Sequence, residues 1–156
     1  MDQWINLDVK DIPVMFAQYC MNDKVKTTEV RANFANWKYN NPDGTMTEVI
    51  AENLMHPMDI ISRLSRMEVP YNLRTLSFTF SCVPSSVTVK FWPDQYAGFR
   101  GAYDIMYEKL KVSGNSIILP LGEHGYVFQV HATWPQGNGN YEFYLVPCMR
   151  LSPALK

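Results

Sequence analysis

Cysteine is scarce in this chain of 156 residues, and its three copies, Cys20, Cys82 and Cys148, make an odd count with no CxxC spacing. That argues against a disulfide framework of the small secreted type and against a tetrahedral zinc site built on thiolates. Two arrangements stay open: three partly buried thiols packing as small hydrophobes, or one disulfide with a spare thiol. Long apolar runs are also lacking. Stretches such as Ile12 to Ala17 and Ile117 to Leu121 fall far short of the roughly 20 residues that a membrane helix needs, so no segment reads as a span.

Charge of one sign is not in excess. Fourteen Lys and Arg stand against 15 Asp and Glu, and the cations are scattered. No basic stripe exists to neutralise a phosphate backbone, so no nucleic-acid partner is expected. Catalytic signatures are missing as well: no GxSxG, HExxH or phosphate-binding glycine loop occurs. The start, Met1-Asp2-Gln3-Trp4-Ile5-Asn6, has neither the basic opening nor the apolar stretch of a secretory signal. It reads as a domain cut from a longer precursor, with a cytoplasmic protein as the alternative.

What is present suits a packed core. At 47% hydrophobic and 19% charged residues the chain is too apolar to stay disordered. Its informative stretches alternate with period two, the pattern of strands with one dry and one wet face. Leu76, Phe78, Phe80 and Cys82 share one parity, and Thr75, Ser77, Thr79 and Ser81 the other. Val87, Val89 and Phe91 oppose Thr88 and Lys90 in the next run, after a Pro84-Ser85 break, and the two runs are expected to pair. Tyr126, Phe128, Val130, Ala132 and Trp134 alternate with Val127, Gln129, His131 and Thr133, and Tyr141, Phe143 and Leu145 with Glu142 and Tyr144. Between them Pro135 to Asn140 reads as an exposed hairpin tip.

Thr28 to Tyr39 and Thr45 to Ala51 flank the turn Asn41-Pro42-Asp43-Gly44 and predict a second hairpin. Pro13 to Cys20 and Ser116 to Leu121 add strands, while Met106 to Val112 fits either a strand or a short helix. His56 to Arg66 has a helical look, with Pro57 at its first position and Ile60, Ile61 and Leu64 on one side. The sum is an all-β, antiparallel sandwich of roughly eight to ten strands with one helical turn near 56–66. Residues 1–24 form an N-terminal segment, an edge strand or a linker, and 25–156 a single sandwich domain.

No set of residues converges on catalysis or a metal, and no cofactor is expected. His56, His124 and His131 lack helical metal spacing. His131, Gln129 and Glu142 share outward parity and could form a polar cluster, though one face of an antiparallel sheet is ordinarily a solvated one. Carboxylate pairs for glycoside hydrolysis would have to be assembled across strands from Glu29, Glu48, Glu52, Asp94 or Glu142. Aromatic residues near strand ends are more telling: large rings either plug the ends of the core or form a recognition patch. The polar and aromatic stretch Trp92 to Tyr103 has the composition of a binding loop, so the candidate binding residues are Trp92, Tyr96, Phe99 and Arg100, with Trp134 from the other hairpin.

The order of landmarks, Asn36-Trp37-Lys38-Tyr39, His56-Pro57-Met58-Asp59, Leu76-Ser77-Phe78-Thr79-Phe80, Val87-Thr88-Val89-Lys90-Phe91-Trp92, Gly125 to Val130, Trp134 and Tyr141-Glu142-Phe143, resembles a family. Its members are small extracytoplasmic β-sandwich domains of cell-envelope lipoproteins and of membrane sensor peptidases of the β-lactam-receptor type. The resemblance covers residues 25–147 and implies an immunoglobulin-like sandwich outside the membrane with no catalysis of its own. Fold alone does not carry function. The expectation is a noncatalytic binding or sensory module of the bacterial envelope, its partner a protein or other envelope ligand. The alternatives are a hydrolase on a jelly-roll sandwich and a structural or assembly subunit.

Overall fold

A computed structural model describes residues 10–51, 55–120 and 124–148. Residues 1–9, Glu52 and Leu121 lie outside them. The described chain is all-β, with eleven strands in two sheets, more than the eight to ten expected. One sheet has four strands in the order β2 (Lys24–Val30), β1 (Met15–Met21), β6 (Thr75–Phe80), β9 (Ser116–Ile118). The other runs β4 (Met46–Ala51), β3 (Ala32–Asn40), β11 (Gly137–Cys148), β10 (Tyr126–Trp134), β7 (Ser86–Pro93), β8 (Glu108–Leu110), with β5 (Ser65–Pro70) also on β11. All pairings are antiparallel except β5 with β11.

The expected boundary at residue 24 falls inside a sheet. Strand β1 is hydrogen-bonded to β2 on one side and to β6 on the other, so Met15–Met21 is an interior strand and neither an edge nor a linker. Its alternate residues Met15, Ala17 and Tyr19 are buried, and burial of that face ties it to the core.

Strands β6 and β7 do not pair. The intervening chain changes sheets: Ser81 N–H donates to Val14 O in the small sheet, and Ser85 N–H to Thr133 O in the large one. The run Thr28 to Tyr39 divides for the same reason, at Arg31, where β2 of one sheet ends and β3 of the other begins. Segment 56–66 is two short 3₁₀ turns, Pro57–Asp59 and Ile61–Arg63, and Met106 to Val112 holds the three-residue strand β8. Strand β5 was not legible in the sequence.

Between the sheets lies the main core, and its rings are arranged by register. Phe91, Phe128 and Phe143 are direct partners across β7, β10 and β11, and they stack at 5.6 and 5.1 Å. At the far end Trp37 and Trp134 are both partners of Gly137. With no side chain there, the two indoles meet edge to face at 5.5 Å across it. A Cβ on Gly137 would fall on the carbonyl of Asn36. Gly137 to Asn140 are therefore strand, and the connector shrinks to Pro135-Gln136, with Gln136 buried instead of forming an exposed tip. Tyr141 closes this end by donating to Pro13 O at 2.6 Å. All three cysteines are thiols, with Cys20 exposed and Cys82 half-buried against the core.

Gly137→Ala should lose about 2 kcal/mol or more of folding stability, because the added methyl meets backbone on β3 and separates the two indoles. Urea unfolding read by tryptophan fluorescence checks this, and an unchanged midpoint would refute the role given to Gly137.

Candidate functional site

The outer face of the large sheet is not uniformly wet. Over the end of β7 and β10 the 56–64 strap and the 94–107 loop close on a second apolar cluster, Met58, Ile60, Leu64, Trp92, Tyr103 and Val127. Trp92 Nε1 donates to Tyr103 O at 2.8 Å. Tyr103 O–H donates to Asp59 Oδ1 and accepts from Gly98 N–H, each at 2.9 Å, while Arg100 pairs with Asp59 at 3.4 Å. His56 stacks on Tyr103 at 4.4 Å and accepts from Met58 N–H through Nδ1 at 3.1 Å. Burial holds its pKa below the ordinary histidine value, in keeping with a neutral ring.

That arrangement corrects the expected recognition patch. Trp92 is 1% exposed and Trp134 3%, and they lie in different clusters on opposite faces of the sheet. Trp134 points into the core and donates to Cys82 O at 2.8 Å. Tyr96 is half-buried against the outer cluster, so only Phe99, 64% exposed, and Arg100 remain on the surface. The reason is non-local: the loop folds back and covers a strand face that alternation alone leaves open.

Further along the same face a polar row crosses the sheet. Lys109, Lys90, Gln129 and Glu142 are successive partners on β8, β7, β10 and β11. The register of β3 against β11 jumps from Asn140↔Phe34 to Tyr141↔Ala32, leaving Asn33 without a partner in the ladder. This bulge turns its side chain toward Glu142. Asn33 Nδ2 donates to Oε1 at 2.8 Å and Gln129 Nε2 to Oε2 at 2.6 Å. Glu142 is only 6% exposed, and burial pushes its carboxyl above the usual range, partly offset by the two amides and by Lys90. It is thus a buried, partnered group and not part of a solvated face.

The next row holds Thr88, His131 and Asn140. His131 Nδ1 lies 2.7 Å from Asn140 Oδ1. Because that oxygen can only accept, Nδ1 is the donor in this contact. Thr88, Lys90, Lys109, Gln129, His131 and Asn140 line a groove of about 570 Å³, with Val87, Val89, Leu110 and Val112 as its apolar wall. Lys90 and Lys109 are register partners on β7 and β8, and like charges at directly opposite positions favour an anion nearby. Lys90 Nζ also sits 5.2 Å from the Trp92 ring and 4.9 Å from Tyr107.

The other candidate carboxylates are dispersed. Glu29 pairs with Arg31 on the small sheet, Glu48 is on edge strand β4, and Asp94 accepts from Tyr144 O–H at 2.7 Å. Among the described residues no group of three or more His, Cys, Asp and Glu could hold a metal ion, and no helix is long and apolar enough to cross a membrane. The parity of Gln129, His131 and Glu142 was readable from the sequence. Lys109 and Asn33 were missed because a short strand's register and a bulge place them.

Compared with protein-family models, curated proteins and solved structures, the chain matches none.

Glu142→Ala should cost about 1–3 kcal/mol by orphaning two amide donors, whereas Glu142→Gln should cost less, because its oxygen still accepts from one amide while its NH2 meets the other. The raised pKa fixes the sign of the pH effect. The unfavourable contribution of Glu142 is full above its folded pKa and is relieved as pH falls toward its ordinary value. Denaturation of wild type and Glu142→Gln from neutral pH down to the ordinary carboxylate range checks this: the stability of wild type relative to the variant should rise as pH falls, and a fall would refute it.

Proposed function

We propose that this protein is a noncatalytic binding module of the bacterial cell envelope, taking a small anionic ligand in the groove on the outer face of its large sheet. One observation carries the reading: Lys90 and Lys109 face each other across β7 and β8 above a wall of fixed polar groups, in a cavity of about 570 Å³. A concave site of that size with a few oriented polar groups is what small-molecule recognition requires. The orientation is already set, since His131 is held by Asn140 and Gln129 by Glu142. An anion arriving there would accept from Lys109 and Thr88 without reorganising the strands beneath.

The envelope placement rests on the resemblance of residues 25–147 to extracytoplasmic sandwich domains. The hydrolase alternative has less support: glycoside hydrolysis works with two carboxyl groups about the scissile bond, while the described residues that line the groove include no acid and both oxygens of nearby Glu142 are taken by amides.

Titration with inorganic phosphate, sulfate and acetate, followed by amide chemical shifts, tests the proposal. Shifts should concentrate at residues 88–90, 109–110 and 129–131, and Lys109→Glu should weaken binding about tenfold or more. Shifts confined to the loop at Phe99 and Arg100, or absent for all three anions, would overturn it.

A further inference from the structure

A second cavity adjoins the groove, and the described residues that line it carry no charge. It has about 580 Å³ and opens between the sheets beside β6 and β7, with Phe78, Phe80, Val83 and Pro84 among its lining residues beside the hydroxyls of Ser85 and Ser86. Val87 and Val112 line both cavities. The topology explains why the two meet. Strand β8 covers β7 only from Val89 to Phe91, and the chain then leaves for the small sheet through Lys111 to Asn115, turning at Gly114 with φ +64°. Among the described residues no strand lies along the β8 side of β7 at Val87 and Thr88, so the outer groove and the gap meet around that edge.

Resting on the anionic-groove reading, we infer that the ligand is a single-chain anionic amphiphile, a fatty-acid-like molecule, whose carboxylate lies by Lys90 and Lys109 and whose chain enters the gap between the sheets. A small inorganic anion would use only the polar half. A neutral hydrocarbon would make no use of Lys109, an exposed cation at the groove. Val83, 85% exposed at the mouth of the gap, is an apolar side chain with little cover in the protein itself, and an acyl chain would supply it.

Calorimetry with monomeric octanoate, decanoate, dodecanoate and tetradecanoate, each below its micelle concentration, tests this against acetate and dodecanol. Affinity should rise about fourfold per added methylene and then level off as the gap fills. Lys109→Glu should weaken the whole series about equally. Val83→Asp, an exposed position where folding is unaffected, should flatten the dependence on chain length while acetate binding stays as it was. Acetate binding with no dependence on chain length would overturn the amphiphile and leave the anionic groove standing. Dodecanol binding as tightly as dodecanoate would overturn both, and so would failure of every ligand to bind.

Discussion

Strand β11 is hydrogen-bonded along both edges, and most of the large sheet depends on that. From Gly137 to Leu145 one edge pairs with β10, while the other is shared by β3 and, after the bulge, by β5. Its side chains alternate between two separate environments. Tyr141, Phe143 and Leu145 enter the core between the sheets, and Asn140, Glu142 and Tyr144 build the outer face. Because the period is two, a slip of one residue would exchange the sets, exposing Phe143 and driving Glu142 among aromatic rings. The register that stabilises the core therefore also fixes the groove.

Local alternation made the strands legible. It predicted the dry parity of Leu76 and Phe78, of Val89 and Phe91, and of Phe128 and Val130, and all of these are buried. The turn at Asn41 to Gly44 was equally clear, since Asn41 N–H closes on Thr45 O at 2.8 Å and Asp43 accepts from Thr45. What alternation could not convey was which sheet a strand joins. Ser81 and Ser85 are four residues apart, yet their partners Val14 and Thr133 belong to different sheets. Nothing local distinguishes such a crossing from a hairpin.

The same limit explains the candidate site. Parity grouped Gln129, His131 and Glu142, but the cover over the neighbouring end of the face comes from residues 56–64 and 94–107, far away in sequence. Trp92 looked like a loop residue because it precedes Pro93 and a polar stretch. In the fold it anchors that stretch through Tyr103 O and is shielded by it. Tyrosine and tryptophan near strand ends answer to two masters, burial and recognition, and only tertiary packing separates them.

Lys90 marks the line where the outer face changes character. On one side its ammonium lies over Trp92 and Tyr107, and on the other stands the carboxylate of Glu142, whose charge Lys90 favours. Beyond it the face opens to Thr88, His131 and Asn140. Most of the polar groups at this boundary stand on strands and not on loops, so their ordering is part of folding and is already complete before any ligand arrives. Phe99 and Arg100, on a surface loop held through Asp59, have no comparable support. A site made of strand residues with fixed partners is the better-prepared one, and for this reason the groove, not the aromatic loop, is the site we propose for recognition.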